Sequence, residues 1–233
     1  MRMGGQRLDL MLYVQALPLY ARNLGVLLPP LIAAAIGVGL RYLSGPLFEG
    51  VAGAGYPIIA FIINVVYGFA FAVSVILADD AWRNGHGNLR SAWDRARRKA
   101  GDIIMVVIGF YFLIYIAGLI GGILGPILSQ ALSALAVWAF IYAIPATAIG
   151  GVPAGGAFSA SLQAARRYPL ATAILVIVSL VVWFGLAIYA PASVGPFVGP
   201  GYDVANVILT SLALGYIALI VSRQYSGFAF RFW

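Results

Sequence analysis

The sequence predicts an all-α polytopic membrane protein: six transmembrane helices in three helical hairpins, each hairpin preceded by a short interfacial amphipathic helix. Three observations carry that expectation. Of 233 residues, 63% are hydrophobic and only 9% charged, against roughly 45–50% and about 25% in soluble domains. The apolar residues fall into runs near 20 residues long, bounded by glycine, proline and charge, the length that crosses a bilayer as helix. The basic residues gather in short polar stretches beside alternate runs, where they orient a membrane chain.

Taken in order, residues 8–22 read as an interfacial segment with Leu8, Met11, Leu12 and Leu19 on one side. A signal peptide is disfavoured there, because Asp9, Gln15 and Pro18 interrupt its apolar core. The first span covers about 24–43, with Pro29 and Pro30 near its start, and the second about 57–78. Between Asp79 and Asp102 lies the longest polar stretch of the chain, DDAWRNGHGNLRSAWDRARRKAGD. Within it, residues 88–100 read as an amphipathic helix with Leu89, Ala92, Trp93, Ala96 and Ala100 as its apolar stripe. Asn88 is its N-cap, Gly101 its C-terminal stop, and Asp94 with Arg98 a favourable i,i+4 pair. The third and fourth spans, about 103–121 and 127–149, are joined by a tight glycine-rich turn, with Pro145 late in the fourth. A second amphipathic segment, 157–168, carries Phe158, Leu162 and Ala165 on its apolar side and Arg166 and Arg167 at its end. The last spans cover about 170–190 and 204–222, and the tail ends FAFRFW.

Six spans bring both termini to one side. Taking that side as cytoplasm places every lysine and arginine inside except Arg41, so the expected site is a prokaryotic inner (plasma) membrane with both termini cytoplasmic. Ala21-Arg22, Ala96-Arg97 and Ala165-Arg166 precede the first, third and fifth spans. That recurrence suggests a unit of interfacial helix plus hairpin used three times, in parallel copies.

At these residues a family likeness appears. TAIGGVPAGGAFSASLQAARRYPLATAIL, six spans and the basic loop NLRSAWDRARRKAGDII resemble a broad group of bacterial and archaeal six-span proteins. That group includes the membrane domain of glycerophosphodiester phosphodiesterases and related families of unknown function. In it, a proline near the end of the fourth helix precedes a small-residue loop and a Ser-containing amphipathic helix, as Pro145 and Phe158–Arg167 do here. The acidic residue often found in the loop after the fourth helix is absent, and no part of these residues corresponds to the phosphodiesterase domain. The resemblance therefore implies a fold and carries over no catalytic residue.

The chemistry-bearing residues are few. There is no cysteine, which removes disulfides, thiolate metal sites and thiol nucleophiles. The single histidine, His86, lies in NGHGN near Asp79 and Asp80, and reads as a turn residue in preference to a metal or catalytic centre. No cofactor is expected, nor any enzymatic activity. The net charge of +7 points to anionic lipid headgroups and not to nucleic acid, because the cations flank spans. Arg90, Arg95, Arg97, Arg98, Lys99, Arg166 and Arg167 are the expected lipid or partner contacts. Within the spans, Asn64, Gln130 and Asn206 read as interhelical hydrogen bonds, or as a polar path. Gly118/Gly122 and Gly121/Gly125 have the spacing of a close helix contact, internal or between subunits. The expected function is a scaffold or accessory subunit of a membrane complex; the alternative is a transporter or channel for a neutral or lipid-like solute.

Overall fold

The computed structural model describes residues 10–48, 55–191 and 199–229. Leu8, the loop 192–198 and the last residues of the FAFRFW tail lie outside them. Among the described residues the chain is 91% helical and has no strand. Six helices are long and apolar enough to cross a membrane: Leu24–Tyr42, Ile59–Asn84, Ala100–Leu124, Pro126–Ala148, Pro169–Tyr189 and Gly201–Gly227. They are consistent with a multi-pass membrane protein.

The elements are α1 (Met11–Arg22), a 3₁₀ turn (Leu24–Leu27) leading into α2 (Leu28–Phe48), α3 (Gly55–Asn84), α4 (Leu89–Arg98), α5 (Ala100–Leu124), α6 (Pro126–Phe140), α7 (Ala143–Ala148), α8 (Ala154–Arg167), α9 (Pro169–Val182) with a π-helical continuation (Trp183–Tyr189), and α10 (Pro200–Ala229). Each of the short helices α1, α4 and α8 precedes a long one. Helices α3 and α10 have 30 residues each, about 45 Å at 1.5 Å per residue, whereas the hydrocarbon of a bilayer is about 30 Å thick. Both run toward the same end of the bundle. Here the core is densest, with 72–79 of α3 and 217–222 of α10 buried on every face. Helix α1 packs on α10, α4 on α3, and α8 on α6 and α7, so the short helices form a collar at this end.

The buried faces of the collar differ from the apolar stripes read in the sequence. In α1 the buried residues are Leu12, Ala16 and Tyr20, while Met11 is exposed. In α4 only Ala92 and Ala96 are buried; Leu89 and Trp93 are exposed, Trp93 edge-on to Phe69 with centroids 5.9 Å apart. Asn88 does cap α4, its side chain accepting from Ser91 N at 3.0 Å. Lys99, not Gly101, ends the helix, and Gly101 lies inside α5. The Asp94–Arg98 pair is not among the ion pairs of the described residues. In α8 the buried side is Ala157, Ser161, Ala164 and Ala165, while Phe158 covers Gly109 and meets Phe140 edge-on at 5.5 Å. Small residues face inward in α4 and α8 because the collar lies close against the long helices, and a large side chain has room only on the outer surface.

The fourth span is broken. Pro145 has no N–H for the carbonyl of Ile141, and the helix stops at Phe140 and resumes at Ala143. Ser161 of α8 fills the gap: its hydroxyl donates to Ala139 O at 2.9 Å and accepts from Tyr142 N at 3.1 Å. Two backbone groups without helical partners are thereby satisfied inside an apolar bundle, where leaving them bare costs several kcal/mol. The Tyr142 ring is fully buried, and its hydroxyl meets Thr172 Oγ1 at 3.1 Å.

Gly118 and Gly121 of the third helix pack internally, against α6. Gly125 (φ 125°) makes the turn between α5 and α6, and Ser129 Oγ donates to Gly118 O at 2.8 Å. A Cβ on Gly121 would fall 2.6 Å from Ser129 N and 2.7 Å from Leu128 O. Here the close-packing spacing seats one arm of a hairpin on the other.

Candidate functional site

The collar end is where the polar chemistry of the chain collects. Asn23, buried between α1 and α2, is its hub. Its amide donates to Leu19 O at 3.0 Å and Gly85 O at 3.1 Å, and its oxygen accepts from Gly87 N at 3.0 Å. One side chain thus joins the end of α1 to the loop between α3 and α4. Tyr20 donates to Leu212 O at 3.1 Å, and Tyr216 to Tyr13 O at 2.9 Å, which fastens α1 along α10. Burial, with Tyr216 alongside, pushes the Tyr13 phenol up to about 12, and burial raises that of Tyr20. Both therefore stay protonated, and Tyr20 remains a donor.

Helices α3 and α10 are locked by a second set. Asp79 is buried, 2.8 Å from Arg83 Nε, and accepts from Ser226 Oγ at 2.6 Å. Trp82 Nε1 donates to Leu219 O at 2.9 Å, and the Arg223 guanidinium lies 5.4 Å from the Trp82 ring centre. Asp102 Oδ1 accepts from Ala154 N at 3.1 Å, holding the start of α8.

The seven cations expected at lipid or partner fall into two groups. Arg90, Arg97, Arg98 and Arg166 are exposed. Arg167 is exposed too, its guanidinium 5.8 Å from the Tyr168 ring centre. Arg95 and Lys99 turn inward. Arg95 forms an ion pair with Asp80, and Lys99 Nζ points at Thr147 O and Ala148 O, both at 3.4 Å. The last carbonyls of a helix carry partial negative charge, so a lysine there closes the helix end. These two cations hold the collar together.

His86 is exposed, with Nδ1 3.2 Å from Asn84 O. The two aspartates once near it in sequence are engaged by Arg83, Ser226 and Arg95, and no metal-holding group of three His, Asp or Glu forms among the described residues. The three polar residues of the spans separate. Gln130 is exposed near the start of α6, and Asn64 is exposed on α3. Asn206 is half-buried and donates to Ala187 O at 3.3 Å. That carbonyl belongs to the π-helical stretch, whose wider turns disturb the regular bonding of the helix.

Asn23 and Ser161 are the polar residues that sequence reading passed over. Ser161 had a signal, since it follows a proline-broken helix and sits among alanines at helical spacing. Asn23 had none, because its partners are backbone atoms up to 64 residues away. Compared with known proteins, the chain matches no family model, no curated protein and no solved structure. What the fold defines is a class: six long apolar helices with a polar, basic collar at one end.

Proposed function

We propose that this chain is a non-enzymatic scaffold or accessory subunit of a prokaryotic inner-membrane complex, with both termini cytoplasmic and its collar against anionic headgroups. The observation that supports this most is the placement of charge. Among the described residues, ionisable Asp, Arg and Lys side chains occur only at the ends of the long helices or on the collar. Proton relays and most ion-coupled transporters place such groups inside their spans. The three-hairpin repeat and the likeness to six-span phosphodiesterase membrane domains belong to the same reading, in which α4 and α8 turn several cations outward and α1 ends on Arg22.

The separation of the cations sharpens the test. Replacing Arg90, Arg97 and Arg98 together by glutamine should weaken retention of phosphatidylglycerol through mild purification. At about 1 kcal/mol per surface arginine the loss is roughly 100-fold in affinity. Arg95→Gln and Lys99→Gln should instead lower thermal stability and leave lipid retention alone. Equal lipid loss from both sets sinks the division. Migration as a lone monomer with no copurifying chain counts against the accessory role.

A further inference from the structure

Asn64 is the amide that the folded chain leaves without a use. It stands on α3 four residues before Gly68, where a Cβ would run into the Val107 side chain of α5. Helix α3 runs toward the collar and α5 away from it, so Asn64 lies level with about Tyr111. At 1.5 Å per residue that is about 16 Å from one end of α5 and about 20 Å from the other. Asn64 is therefore near the middle of the span.

The face it occupies is open. Ile63 and Tyr67 turn to α2, where a Cβ on Gly37 would lie 3.3 Å from Ile63 Cγ2 and 3.5 Å from Tyr67 Cε2. Away from α2, Phe61 and Ile62 are 43% and 46% exposed, and Asn64 is exposed with them. Among the described residues no hydrogen bond reaches the Asn64 amide. Acyl chains offer an amide neither donor nor acceptor, so at this depth it stands bare in hydrocarbon. The side chain is too short to reach either interface, about 15 Å away.

What covers Asn64 must bring polar atoms to mid-membrane, which is the work of another helix. A carboxamide carries both donor and acceptor. Two copies related by a two-fold axis along the membrane normal therefore satisfy each other, one Asn64 to the other. A different partner would need its own polar group at this depth; a second copy has one already, with Phe61 and Ile62 to pack around it.

We propose that the chain forms a parallel homodimer in the membrane through the Asn64 face of α3, the two Asn64 amides hydrogen-bonded across the axis. The dimer stands apart from the accessory role, which calls for a different chain.

The chain contains no cysteine, so one introduced thiol reports the contact. In native membranes Phe61→Cys should give a disulfide-linked dimer under copper phenanthroline, and Ile63→Cys, turned to α2, should not. Adding Asn64→Leu should suppress that cross-link, and Asn64→Gln, which keeps the amide, should retain it. In phosphatidylcholine vesicles, energy transfer between labelled copies should show Asn64→Leu half-associating at a roughly tenfold higher protein-to-lipid ratio. Its circular dichroism should be unchanged, which separates lost association from lost fold. Equal cross-linking of Phe61→Cys and Ile63→Cys, or unaltered association of Asn64→Leu, overturns the proposal. So does a Phe61→Cys adduct with a chain of another mass in place of the dimer, which gives the face to a different protein.

Discussion

Gly121→Ala is expected to lower the thermal stability of the detergent-solubilised protein sharply, while Gly122→Ala, one residue on, leaves it unchanged. The added methyl at 121 meets backbone of Ser129 and Leu128, whereas at 122 nothing lies within 4 Å. A clash with a side chain relaxes by rotation; a clash with backbone moves a whole helix. Overpacking of this kind costs about 1–3 kcal/mol, and the rigid neighbour puts Gly121→Ala at the upper end. For a chain of this size that is a fall in Tm on the order of 6–12 °C. The shift also stretches the Ser129–Gly118 hydrogen bond, so Ser129→Ala in the same background should add little further loss. Similar melting of the two glycine variants refutes the internal contact and returns the spacing to an interface between chains.

Asn23→Ala should be the most damaging polar-to-alanine change at the collar. It removes three hydrogen bonds and leaves Gly85 O and Gly87 N without the partner the folded chain supplies. Gly85 is exposed and Gly87 half-buried, so water takes up part of the loss; at about 0.5–1.5 kcal/mol net per hydrogen bond the three together are worth about 1.5–4.5 kcal/mol. Asn23→Asp keeps the acceptor for Gly87 N but offers no donor to Leu19 O or Gly85 O, and buries a charge, so it should not rescue. His86→Ala, in the same loop, should be silent in stability. Amide exchange at Gly87 is the direct readout: fast in Asn23→Ala, slow in His86→Ala. If the two variants exchange alike, Asn23 is not what holds the loop.

The six long apolar helices were legible because hydrophobic length is a local property, summed over some twenty neighbours. The cap of α4 was legible for the same reason, Asn88 and Ser91 N lying within one turn of each other. The inward faces of the short helices were not. Leu89 and Trp93 looked like the buried side because they are the larger hydrophobes, yet close approach to α3 and α5 admits only Ala92 and Ala96. In a membrane chain the outer surface is apolar too, so hydrophobicity no longer separates inside from outside and size takes over. Arg95 and Lys99 escaped for another reason. They stand in one run with Arg97 and Arg98, which are exposed, and nothing in that run marks them out, since Asp80 and the Thr147 and Ala148 carbonyls come from other helices. The π-helical stretch at Trp183–Tyr189 left no trace in composition.

The fastening of α1 to α10 sets an order of events during synthesis. Tyr13 receives its hydrogen bond from a residue 203 positions later, and Tyr20 donates to one 192 positions later. At 5–20 residues per second, the first helix waits about 10–40 s before its partner exists. Asn23 can meet Gly85 and Gly87 after only 62–64 residues, so that tether forms well before α10 emerges and parks α1 beside the place α10 will occupy. The last helix then enters a slot already framed, and its arrival closes the bundle into a ring.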